Sequence, residues 1–130
     1  MFDNLSDKEK LIYLAGVFEG EGSFGIWNNK IDRKNKTIKK YINISIQMTD
    51  EDIIKKFSDF FGGPYQNYKP RNHQNKIVYS WKTKGKKALD ILYQIMPYLG
   101  KRRQEKFNNL LLEYNSRENK DKEYVCLKVA

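Results

Sequence analysis

Apolar residues recur along this chain at two alternating spacings. Leu11, Leu14, Val17 and Phe18 follow a helical interval, whereas Phe24 and Ile26, and then Ile42, Ile44, Ile46 and Met48, fall on every second residue. Ser6 and Glu9 form an S-x-x-E capping box, which starts the first helix at Asp7. That helix should end near Glu21, with Gly22 in the left-handed position that often follows a helix C-terminus. Ala15, Gly16 and Gly20 add a second, small-residue face on which another helix could pack closely.

A strand is expected over Ser23–Asn29, with Phe24 and Ile26 facing the core and Gly25, Trp27 and Asn29 on the opposite face. The clearest strand is Tyr41–Met48, whose isoleucines alternate with Tyr41, Asn43, Ser45 and Gln47. Thr49 then caps a helix beginning near Asp50, with Asp52 at its third position. Ile53, Ile54, Phe57 and Phe60 give that helix its buried stripe, and Gly62-Gly63-Pro64 stops it. A third strand over Tyr65–Arg71 has two phases open, exposing either Gln66 and Tyr68 or Tyr65, Asn67 and Lys69. Pro70 limits its inner pairing.

After a polar hairpin loop holding His73, Lys76–Thr83 reads as a fourth strand, with Ile77, Tyr79 and Trp81 inward. A helix from about Gly85 to Met96 buries Ala88, Leu89, Leu92 and Ile95 and stops at Pro97. Phe107, Leu110, Leu111 and Tyr114 mark the last helix. The order predicts a single α+β domain over residues 1–115, with a four-stranded antiparallel sheet backed by helices. Residues 116–130 are expected as a frayed polar tail.

Charge narrows the partners. A formal net charge of +9 on 130 residues favours a polyanion. Between Asn28 and Lys40 six basic residues stand against one acid, a density suited to phosphate contact. No apolar run reaches the length of a membrane span, and no helix carries a lysine-rich amphipathic face. The start has no signal-peptide character, and the lone Cys126 rules out an intramolecular disulfide framework. Both suit a reducing intracellular compartment.

Two carboxylates, Glu19 and Glu21, fall where the first helix ends and its dipole disfavours negative charge. They are either solvated end-of-helix acids or groups compensated by a cation such as a divalent metal. The stretch Leu14–Gly22, LAGVFEGEG, resembles the LAGLIDADG motif of homing endonucleases and intron maturases. Leu14, Ala15, Gly16 and Gly22 match it, and Glu19 and Glu21 take its two acidic positions. Pro97, Tyr98, Leu99, Lys101 and Gln104 also resemble the family's post-sheet signature.

One motif in the chain resembles the single-motif subfamily, whose members act as homodimers. The resemblance implies an α-β-β-α-β-β-α fold with a saddle-shaped sheet lying in the DNA major groove. It implies motif helices packed at a two-fold axis through Tyr13, Gly16, Val17 and Gly20. It makes Glu21 the ligand of Mg²⁺, with Glu19 in a mostly structural place. Asp50 would help organise the attacking water and Lys101 steady the phosphate, although a dipole acid and a plain phosphate contact are level alternatives.

DNA would be met by Gly25, Trp27, Asn29, Lys30, Arg33, Lys34, Lys39, Tyr41, Asn43, Ser45, Gln47, Gln66, Tyr68, Lys69, Arg71 and Lys82. Asn and Gln on that face could pair bidentately with adenine. The family more often has Asp where Glu21 stands, and the extra methylene shifts any metal. The alternatives are a group I intron maturase, whose partner is RNA, and a DNA-binding module that does not cut.

Overall fold

The computed structural model describes residues 2–32, 37–70 and 76–121, with residues 28–32, 37–39 and 117–121 described by backbone alone. A short 3₁₀ turn at Phe2–Asn4 precedes helix α1 (Asp7–Glu21), and then come strands β1 (Gly22–Asp32) and β2 (Thr37–Met48). Helix α2 (Glu51–Phe61), strands β3 (Tyr65–Tyr68) and β4 (Val78–Lys84), and helix α3 (Lys86–Ile95) follow. A 3₁₀ turn at Met96–Tyr98 leads into α4 (Lys101–Asp121). The strands form one antiparallel sheet in the order β1-β2-β4-β3, the α+β arrangement expected from the sequence.

The capping box forms as predicted. The Glu9 amide donates to Ser6 Oγ at 3.2 Å and the Ser6 amide to Glu9 Oε1 at 2.9 Å. Hydrogen bonds from the Ser6 backbone and then its hydroxyl hold the Glu9 carboxyl below its usual value. The cap therefore supports the helix above the carboxylate range and weakens as pH falls through it.

One face of the sheet carries the core. Phe24, Ile42, Ile44, Ile46 and Trp81 are buried there against Leu14, Ala15 and Phe18 of α1, Ile54 and Phe57 of α2, and Ala88, Ile91, Leu92 and Ile95 of α3. Phe107 and Leu110 of α4 close the other end, with Phe107 edge-on to Phe24 at 6.3 Å. Trp81 lies between Phe57 and Phe61, with ring centroids 5.6 and 5.7 Å away. Its indole N–H donates to the Gly62 carbonyl at 3.0 Å. Gly62 and Gly63 both have φ of +88°, a conformation glycine adopts without strain, so the chain reverses tightly beneath that indole.

Several boundaries differ from the sequence expectation. Asp50, not Thr49, is the N-cap of α2, and its side chain makes no capping bond. Asp52 instead pairs with Lys56 one turn on, at 2.6 Å. Strand β3 ends at Tyr68 rather than Arg71, and Ile77 precedes β4 and is exposed. Ala15 turns into the core and so leaves the small-residue face. Helix α4 runs on to Asp121, through the first part of the segment expected to fray.

Gly22 is not left-handed. Its φ of −83° and ψ of 163° are extended, so the chain passes from α1 directly into β1. Glycine is required there by contact, since a Cβ would lie 2.0 Å from the buried Phe18 ring. Phe18 is enclosed and cannot yield without opening the core. Gly22→Ala should therefore destabilise the protein by about 1–3 kcal/mol in urea unfolding. An unchanged midpoint would show that the ring can move aside.

Candidate functional site

The outer face of the sheet can be laid out from the strand register. Gln47, Ser80 and Gln66 form one row across β2, β4 and β3. Ser23, Ser45 and Lys82 form the next, followed by Gly25, Asn43 and Lys84 and then by Trp27 and Tyr41. Tyr68 stands beyond Gln66 on β3, opposite Val78. The pairing of Tyr65 with Trp81 puts Tyr65 and Asn67 on the core side, so Gln66 and Tyr68 are the outer pair. Sequence reasoning left out Ser80 and Lys84, although an inward Trp81 already places both outward along β4.

Two expected contacts are buried within the outer face. Asn43, only 7% exposed, lies on an interior strand and gives its Nδ2 to the Tyr41 carbonyl at 2.7 Å. Gly25 is buried beneath Trp27, whose indole Nε1 would stand 2.7 Å from a Cβ at residue 25. Trp27, Gln47, Gln66, Tyr68, Lys69 and Lys82 are exposed, and Tyr41 and Ser45 are half-buried. Tyr41 lies under the Lys84 ammonium, 5.2 Å from its ring centroid. The Tyr68 hydroxyl donates to Gln47 Oε1 at 2.7 Å, so one side chain orients the other on this face. Arg33, Lys34, Arg71 and His73 lie outside the described residues, as do the side chains of Asn29, Lys30 and Lys39.

At one end of this face α1 delivers its carboxylates. Gly22 pairs with Ile46 and β2 ends at Met48, so Glu21 and the exposed Asp50 flank the same end of the β1–β2 pair. The two acids of α1 differ in environment. Glu19 Oε2 lies 3.4 Å from Nε of the largely buried Arg103, whose guanidinium also covers the Phe18 ring at 5.4 Å. The other Glu19 oxygen reaches over Gly100, where a Cβ would stand 2.6 Å away. Glu21 is exposed and makes no ion pair or hydrogen bond among the described residues.

Helix α4 opens beside Glu19 with Lys101, Arg102 and Arg103 and has no acid in its first turn. Burial lowers the Lys106 ammonium from its ordinary value, and repulsion from Arg103 and Arg102 adds to that. Like charges gathered at the positive end of a helix dipole favour an anion close by. This cationic turn thus lies beside the end of α1 that carries the two carboxylates.

The sequence model of the LAGLIDADG endonuclease family matches residues 14–107, from the start of the Leu14–Gly22 motif into α4. The chain belongs to this family.

Among curated proteins no sequence matches the chain. Solved LAGLIDADG structures share its fold at low identity. The homing endonuclease I-CvuI in complex with its target, in the presence of calcium, is 20% identical with a TM-score of 0.58, over 77% of this chain and 63% of that one. I-CvuI with the I-CreI target, in the presence of magnesium and with the DNA not cleaved, gives 18%, 0.63, 88% and 72%. I-LtrWI bound to target DNA gives 16% and 0.65, over 88% of this chain but only 39% of that one. The chain is thus shorter than each of these relatives.

The LAGLIDADG post-sheet signature has a structural reading here. Gln104 Nε2 donates to the carbonyls of Met96 and Leu99 at 3.2 and 3.1 Å, clamping the 3₁₀ elbow on which α4 starts. Gln104→Ala should cost about 1–2 kcal/mol by stranding those part-buried carbonyls. Lys101→Met, at an exposed position, should leave the melting temperature unchanged. Equal losses in calorimetry would contradict this division.

Proposed function

We propose that this chain is a site-specific homing endonuclease that cuts both strands of a long, pseudo-palindromic DNA site as a Mg²⁺-dependent homodimer. The observation that carries the reading is the separation of the two motif acids. Glu19 is engaged by Arg103, while Glu21 is exposed and, among the described residues, unengaged beside a polar sheet face.

Among the described residues no three carboxylate, histidine or cysteine groups are gathered into one cage. A single free carboxylate still fits Mg²⁺, which binds through one or two carboxylates with water and phosphate oxygens filling the remaining positions. When bound, such an ion lowers the pKa of a water nucleophile and stabilises phosphodiester charge. Glu21 would hold it and Asp50 would orient the water. Lys101, with Arg102 beside it, would neutralise the phosphate. The exposed Gln47, Gln66, Tyr68 and Lys82 would meet the groove, and the exposed Lys69 would follow the backbone.

The homodimer rests on α1. Ile12 and Tyr13 are 42% and 40% exposed, and a Cβ at Gly16 or Gly20 would meet nothing within 4 Å. Large apolar groups beside bare backbone on one helix suit a second copy of that helix. Such packing would bring two Glu21 carboxylates close together, one for each strand. The likeness of this chain to only 39% of I-LtrWI, which leaves room there for a second such unit, supports the same arrangement.

Incubation with a randomised or genomic DNA library and Mg²⁺ should yield discrete cuts around a roughly two-fold site. Glu21→Gln should abolish the cuts while leaving binding intact. Binding with no cut by either protein would reject the endonuclease and favour an intron-RNA maturase, the alternative that the family admits. For the dimer, Gly16→Leu should sediment as a folded monomer, since the added side chain has open space within one chain. A dimer that survives this change would place the interface elsewhere.

A further inference from the structure

On the outer face the Tyr68 hydroxyl and the Gln47 amide form one unit, joined by the 2.7 Å bond to Gln47 Oε1. The two side chains come from different strands, β3 and β2, with β4 between them. Both residues are exposed, so the bond is made on the surface offered to the groove. An isolated glutamine amide is ambivalent. It can turn its N–H₂ or its carbonyl toward a base edge, and the bidentate pairing with adenine uses both. A phenol is a strong donor. With Tyr68 donating to the carbonyl, that oxygen is drawn toward β3 and the N–H₂ becomes the group left for a ligand.

We infer that Tyr68 is a positioning residue that fixes the base preference of Gln47, making it a donor that reads an acceptor-bearing edge, guanine best and cytosine worst. Guanine presents two major-groove acceptors, O6 and N7, whereas cytosine presents only the N4–H₂ donor. The inference rests on the proposed DNA-reading function and deepens it. It also replaces the adenine pairing that composition alone suggested for this position.

Site selection from a randomised duplex library tests it, using the full chain with Mg²⁺ as wild type, Tyr68→Phe, Gln47→Ala and Gln47→Glu. The wild type should select guanine at one position of each half-site and deplete cytosine there by roughly tenfold or more. Gln47→Ala should flatten that position alone. Gln47→Glu, which keeps the bond from Tyr68 but has no N–H to offer, should shift the preference to cytosine. Tyr68→Phe should reduce the guanine-to-cytosine ratio several-fold by freeing the amide to turn, with the melting temperature and the other positions unchanged.

A Tyr68→Phe profile identical to wild type would overturn the inference, as would cytosine at the wild-type position sensitive to Gln47→Ala. Either result would leave the endonuclease reading standing. A wild type without any sequence preference would overturn both.

Discussion

The contact between the Phe18 ring and the bare backbone of Gly22 governs much of this structure. It lets a helix run into a strand with no intervening loop, so the end of α1 is fixed relative to the sheet. Everything chemical in the molecule is then referred to that end. Glu19 and Glu21 leave the helix two residues apart and therefore point in different directions, about 200° apart around its axis. One reaches Arg103 and the Gly100 backbone, and the other is left in the open beside β1 and β2. A longer connection at Gly22 would leave Glu21 without a fixed direction relative to the sheet.

The ion pair on the other side of α1 has a matching part. Arg103 is largely buried, and burial of a guanidinium is unfavourable without a partner. Glu19 supplies the charge and Phe18 the ring face, so the same turn of α1 that packs against Gly22 also anchors the start of α4. The Gln104 clamp on the Met96 and Leu99 carbonyls holds that start from the other direction. Lys101 is thereby set beside the motif by groups that need never touch a substrate. The outer face of α1, with Ile12, Tyr13, Gly16 and Gly20, takes part in none of these contacts and is exposed.

Local features were legible in the sequence because their causes are local. The Ser6–Glu9 cap, the alternation along β2 and the stop at Gly62-Gly63 each depend on neighbours within a few residues, and each is found as expected. What was not legible depends on residues distant in the chain. Gly22 reads as a turn glycine until the Phe18 ring is placed against it. Asn43 reads as an exposed amide until its burial and its bond to the Tyr41 carbonyl are seen. Ala15 cannot be told from Gly16 by size, yet one turns to the core and the other to the surface. The phase of β3 needed the pairing of Tyr65 with Trp81, and the link between Tyr68 and Gln47 spans three strands. Of the candidate site, the motif acids and the difference between them were implied by the family resemblance, and Arg103, far along the chain, adds the physical contact that sets Glu19 apart.

That division is the central claim, and metal binding tests it most directly. Mn²⁺ can replace Mg²⁺ as a paramagnetic probe, with its binding to the protein–DNA complex followed by electron paramagnetic resonance. Glu19→Gln should keep the bound-ion signal while lowering the melting temperature, and Glu21→Gln should lose the signal at an unchanged melting temperature. A bound ion that persists in Glu21→Gln, or that disappears only in Glu19→Gln, would contradict the account.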